Sequence, residues 1–198
     1  MVENFLRSWE IKTALDLGRG EIQFQFEDSH IIDCNPPPPG SPKTVKLFGT
    51  VVLTSSTSAI LHVIRRKYPD PPTVFTVTPD VETLWQRYNN YLDGKEQLPA
   101  MAYFCLTVVE NKAGNDRERA AELFLIQYKI LDKLGNLTSN RGNAETARKF
   151  PKKGDLIPLS EKENKWIEAV VKILIRRTGE LANIQSAQLI IMTDLPKI

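Results

Sequence analysis

Histidine and cysteine are nearly missing from this chain. In 198 residues there are two of each, His30, His62, Cys34 and Cys105. A pair of histidines rules out a multi-histidine metal centre, because such sites need several convergent ligands. The stretch DSHIIDC gathers Asp28, His30, Asp33 and Cys34. On a strand, however, Asp33 falls on the opposite face from the other three, and nothing nearby supplies a second soft ligand. Neither a metal nor a cofactor is expected. Cys105 lies inside an apolar run and reads as a buried thiol, which argues against a disulfide with Cys34.

Charge of one sign is also lacking. Lys and Arg number 26 against 24 Asp and Glu, a formal net charge of +2, too small to announce a nucleic-acid binder. No phosphate-gripping G-x-x-x-x-G-K-[ST] loop and no G-x-G-x-x-G turn occurs,. No serine sits in a nucleophile elbow, and neither cysteine lies in a catalytic signature,. The longest charge-free helical run is Leu98 to Val109, well short of the roughly 20 residues that span a bilayer. The N-terminus MVENFLRSWEIKTALDLG has no apolar signal-peptide core,. The expectation is a cytoplasmic protein with no membrane partner.

What is present divides at Thr78-Pro79. Residues 1–78 read as β-rich. GEIQFQFED alternates Ile22, Phe24 and Phe26 with polar residues, the period of a half-buried strand,. TVKLFGTVVLT is long and β-branched, SAILHVIRRKY favours a strand, and TVFTV (Thr73 to Val77) adds a short one,. CNPPPPGSPK must be extended, as a stiff inter-strand loop or as a ligand for an aromatic groove,.

Residues 79–198 read as helical. Thr78 caps a helix that carries Pro79 in its first turn and an apolar stripe of Leu84, Trp85, Tyr88, Tyr91 and Leu92,. LPAMAYFCLTVVENKAG, uncharged until Glu110, predicts the most enclosed helix,. In DRERAAELFLIQYKILDKLGNL, Ala120, Ala121, Phe124, Tyr128, Leu131 and Leu134 share one side, as one long helix or two with a bend near Ile126. SEKENKWIEAVVKILIRRTGELAN opens with a Ser160/Glu163 capping box and turns Trp166, Val170, Leu174 and Leu181 inward, with ion pairs Glu161–Lys165 and Glu168–Lys172,. SAQLIIMTDL predicts a terminal strand. The expected fold class is therefore α+β, a small β-rich N-terminal part followed by a bundle of four to five helices. Trp85, Tyr88 and Trp166 are placed in its core, since their helical spacing fits packing better than base stacking.

One stretch concentrates positive charge. Between Leu137 and Asp155 lie Asn140, Arg141, Arg148, Lys149, Lys152 and Lys153, with Glu145 the one acidic residue among the basic ones. Asn140-Arg141-Gly142 suits a sharp turn whose amides could receive an anion, and each phosphate contact would add salt-sensitive affinity. The alternative is a solvated connector.

LPAMAYFCLTVVE, LDKLGNLTSNRGNAETARKF and WIEAVVKILIRRTGE together resemble the HEPN-like helical domains of bacteria, over residues 80–182. The resemblance implies a four- or five-helix bundle, dimerisation, and links to RNA cleavage or to toxin–antitoxin and defence systems. Active members carry an arginine followed four to six residues later by a histidine. No histidine follows His62 here, so the ribonuclease activity is not carried over and the resemblance implies a binding or scaffolding member. The sequence therefore predicts a non-enzymatic binding or regulatory protein, a homo-oligomer with a protein partner. A nucleic-acid-associated protein using Arg141 to Lys153 is the alternative, and an enzyme with an unrecognised site is the third.

Overall fold

Ser8, Ile11 and Leu15 recur at helical spacing in the first eighteen residues, and all three are buried. They form one face of α1 (Val2–Leu17). The computed structural model describes residues 2–20, 69–143 and 157–198. The chain divides into two units, Met1–Phe24 with Asp70–Ile198, and Gln25–Pro69. Apart from Pro69, the described residues all belong to the first.

The described residues form α1, α2 (Pro79–Leu92), α3 (Leu98–Lys112), α4 (Arg117–Leu123), α5 (Tyr128–Asn140) and α6 (Glu161–Glu180), followed by 3-10 turns at Leu181–Ser186 and Met192–Asp194. Among them there is no sheet, so the α+β expectation with a β-rich start is corrected to a helical bundle. Three causes can be named. The buried side of α1 carries the polar Ser8 and Thr13 beside Ile11 and Leu15, which dilutes the apolar stripe that would have announced a helix. Thr73 to Val77 does bury Phe75 and Val77 on one side, as alternation predicts. Its amides find partners singly and not in a ladder: Thr76 N–H donates to Gly179 C=O at 2.9 Å and Val77 N–H to Ser8 Oγ at 3.0 Å. The terminal segment makes one isolated parallel bridge, Ile190 to Ile126, and joins no sheet. The strands read into GEIQFQFED, TVKLFGTVVLT and SAILHVIRRKY, together with the proline run, His30, Cys34 and His62, lie outside the described residues.

The starts of α2 and α6 follow the sequence closely. Thr78 Oγ1 accepts from Val81 N–H at 3.3 Å, and Pro79 opens α2. Asp116 caps α4 by accepting from the amides of Glu118 and Arg119 at 2.9 and 3.0 Å. Ser160 and Glu163 form the reciprocal box at the start of α6. Such caps each contribute about 1 kcal/mol. Central α3 packs against α2, α4, α5 and α6, and α1 lies on α6. Leu84, Met101, Leu106, Phe124, Leu131, Leu134, Trp166 and Leu174 are sealed in the shared core. Trp85 and Tyr88 join them there. Cys105 is fully buried, and that burial pushes its thiol up to about 12, leaving it in the unreactive neutral form.

α4 and α5 are separate helices. Between them Leu125 adopts φ of 47°, a left-handed conformation uncommon for a bulky residue. The break is stitched to the C-terminal segment: Ile190 N–H donates to Leu125 C=O at 2.9 Å and Gln127 N–H to Ile190 C=O at 2.8 Å. It also shifts the helical phase, so Tyr128, expected to face inward with Leu131 and Leu134, is 42% exposed. Leu92 likewise points to solvent. Glu168, expected beside Lys172, accepts the Tyr91 hydroxyl.

Candidate functional site

The basic stretch joins the end of α5 to the start of α6 in sequence. Asn140 is the last residue of α5 and is exposed. Arg141 is the C-cap, with its amide donating to Leu137 C=O at 3.1 Å. Gly142 sits at φ of 137°, where a side chain would be strained. Its buried amide donates to Ile157 C=O at 2.8 Å. The amides of Arg141 and Gly142 are thus spent on backbone carbonyls. Arg148, Lys149, Lys152 and Lys153 lie outside the described residues.

The side chain of Arg141 completes a clamp. Its Nη2 donates to Glu163 Oε1 at 2.8 Å, while Glu163 Oε2 accepts from Ser160 N–H at 2.7 Å. One carboxylate therefore caps α6 and ties it to the C-terminus of α5. Burial raises the Glu163 carboxyl, but the Ser160 amide and the Arg141 guanidinium outweigh it and hold it below the usual range. A carboxylate lowered in the folded state stabilises above its unfolded pKa, and that contribution is lost as pH falls through the folded value. Glu163→Gln is expected to flatten the acid side of the stability profile, below the ordinary glutamate range, and to leave its alkaline side unchanged. Urea melts across acid pH check this, and an unaltered acid limb would remove the clamp from the account.

Behind the clamp, Lys133 Nζ stands 5.5 Å from the ring centroid of Trp166. Trp166 is wholly buried, and its Nε1–H has no acceptor.

A second surface forms where the α4–α5 break meets the C-terminal segment. Ile126 is buried and Ile190 packs against the core. Side chains alternate along an extended segment, so Leu189 and Ile191 point outward, 53% and 39% exposed. Tyr128 and Leu123 border the same junction and are exposed. Met192 N–H donates to Gln127 Oε1 at 3.0 Å, which fixes the segment on the far side of Ile191.

No family model, curated protein or solved structure matches the chain.

The clamp and the apolar junction stood differently in the sequence. Arg141 and the capping box were both legible, but their pairing across 22 positions was not. Leu189 and Ile191 were hidden by the strand reading of SAQLIIMTDL, which gave them a sheet to join. Among the described residues no group of three His, Cys, Asp or Glu side chains is placed to hold a metal ion, and no helix is long and apolar enough to cross a membrane.

Proposed function

We propose that this chain is a non-enzymatic binding or regulatory protein that works through a surface of its helical bundle and self-associates. The observation that carries the reading is the apolar group of Leu123, Tyr128, Leu189 and Ile191 around the Ile126–Ile190 bridge. Backbone hydrogen bonds hold the segment bearing it, so little ordering entropy opposes association. The occupant of this surface is a second copy of the chain. On the HEPN-like resemblance, the protein is a dimeric member of a defence or toxin–antitoxin system that lacks ribonuclease activity.

Light scattering across a concentration series tests this. The wild type is expected to move from monomer to dimer, and Leu189→Glu with Ile191→Glu to stay monomeric with an unchanged helical circular dichroism spectrum. A wild type that remains monomeric at high concentration sinks the reading.

A second reading, RNA or nucleic-acid association through residues 141–153, is favoured by the clamp. By tying Arg141 to Glu163 and Gly142 to Ile157, it brings residues 142 and 157 together where α5 ends and α6 begins, and because it spends the Arg141 charge on Glu163 the contact would fall to Arg148, Lys149, Lys152 and Lys153. Lys152→Glu with Lys153→Glu is expected to weaken binding to single-stranded RNA. It should also flatten the plot of log affinity against log salt by about 1.4, at about 0.7 per phosphate contact. An unchanged slope would remove this reading and leave the first intact.

A further inference from the structure

The end of α6 runs into the 3-10 turn Leu181–Ser186, and the chain then doubles back along residues 187–190. A cavity of about 350 Å³ lies between these segments, within the range of roughly 300–1,000 Å³ typical of small-molecule sites. Its polar wall holds Arg176, Arg177, Glu180, Asn183 and Gln188. Its apolar wall is Val74, Ile173 and Ile190.

Two guanidinium groups and one carboxylate give this lining a formal surplus of one positive charge. The three charged groups are not equivalent. Arg177 is 6% exposed at its side chain and is engaged on both sides, with Nη1 donating to Glu180 Oε2 at 3.3 Å and Nη2 to the Gln188 carbonyl. It is a structural brace that consumes the Glu180 charge. Arg176 is less committed. Its Nη2 donates to Asp16 of α1, a carboxylate that is also shared with Lys12 and stands outside the cavity lining. The Nε–H of Arg176 is buried without an acceptor. That nitrogen has almost no accessible surface, so an occupant of the cavity meets the terminal nitrogens of the guanidinium and not Nε.

We propose that this cavity binds a small organic monoanion, a carboxylate with a short aliphatic body. The carboxylate is held by the Arg176 guanidinium, and the body lies over Val74, Ile173 and Ile190. Charge-assisted bonds from guanidinium to carboxylate are among the strong ones, and because Lys12 and Arg176 share the single carboxylate of Asp16, one positive charge is left unmatched, as a monoanion requires. Asn183 fixes the rim, its Nδ2 donating to the Val74 carbonyl at 3.4 Å. Asp16 competes with the ligand for the same guanidinium.

Titration calorimetry of the full chain with hexanoate tests the site, with hexanol and acetate as controls for the charge and the tail and inorganic phosphate as a control for a bare anion. Hexanoate is expected to bind saturably with one equivalent per chain, and each control at least about tenfold more weakly, the scale of one lost charged or apolar contact. Arg176→Gln is expected to weaken hexanoate about tenfold. Asp16→Asn is expected to tighten it severalfold, a gain that a purely structural role for the ion pair would not produce. Should Arg176→Gln fail to fold, Asp16→Asn and Arg176→Lys carry the test. Hexanoate that binds no better than hexanol, or that is indifferent to both Arg176 and Asp16 variants, overturns the proposal.

Discussion

Trp166→Ala is expected to cost about 3–5 kcal/mol, the range for deleting a large buried aromatic. The indole is fully buried in the first half of α6, just inside the Ser160–Glu163 cap. That helix end is pinned by Arg141, so it is poorly free to collapse into the space left behind, which places the loss toward the upper end. For a chain of this length each kcal/mol moves the melting temperature by roughly 2–4 °C, so a fall on the order of 10 °C or more should be seen. Trp166→Phe is the discriminating companion. The indole N–H has no acceptor, and an unmet buried donor costs about 1–3 kcal/mol. Phenylalanine removes that penalty while keeping most of the ring. Its net cost should therefore fall well below that of alanine, by urea denaturation. Equal losses for the two variants would mean that the indole nitrogen is satisfied in solution.

The second large effect is expected at Gly179. A Cβ built there would stand 2.2, 2.5 and 2.8 Å from three carbons of the Phe75 ring, distances at which something must move. Phe75 is 3% exposed, and its segment is tied down by the Thr76–Gly179 hydrogen bond. Neither the ring nor the helix has room to yield. Overpacking of this kind costs about 1–3 kcal/mol, and the strained hydrogen bond adds about 1 kcal/mol. Gly179→Ala should thus lower stability by about 2–4 kcal/mol. Phe75→Leu in the same chain should recover part of that loss, a non-additivity expected of residues in contact. Gly135 provides the contrast. Its added Cβ would meet the Arg117 guanidinium at 2.8 Å, the far end of a flexible side chain, so Gly135→Ala should cost less. Simple additivity at Gly179 and Phe75 would dismiss the steric account.

The helical half was legible because its signals are local. Thr78-Pro79, Ser160 and Glu163 mark starts by chemistry that acts within one turn, and Trp85, Tyr88 and Trp166 follow the helical period into the core. The two misread extended segments share a different property: their partners are distant in sequence. Thr73 to Val77 and Gln188 to Ile191 carry the alternation of strands, and Phe75, Val77 and Ile190 do turn inward. What decides against a sheet is that their amides meet Gly179, Ser8 and the α4–α5 break, none of which is a strand. Tyr128 fell on the wrong side because a backbone turn at Leu125, not the apolar period, sets where α5 begins. For the candidate site, Arg141 could be picked out by its charge cluster. Its commitment to Glu163 could not, since nothing in either neighbourhood announces the other.

The stitching of early to late residues also bears on how the chain comes off the ribosome. α1 is anchored partly by Asp16 to Arg176, and Phe75 packs against Gly179. The turn at Leu125 likewise waits for Ile190. Its first helix and its mid-chain bend are thus made before the groups that hold them have been translated. In the nascent protein these two elements therefore stay uncovered until α6 and the segment that follows it have emerged.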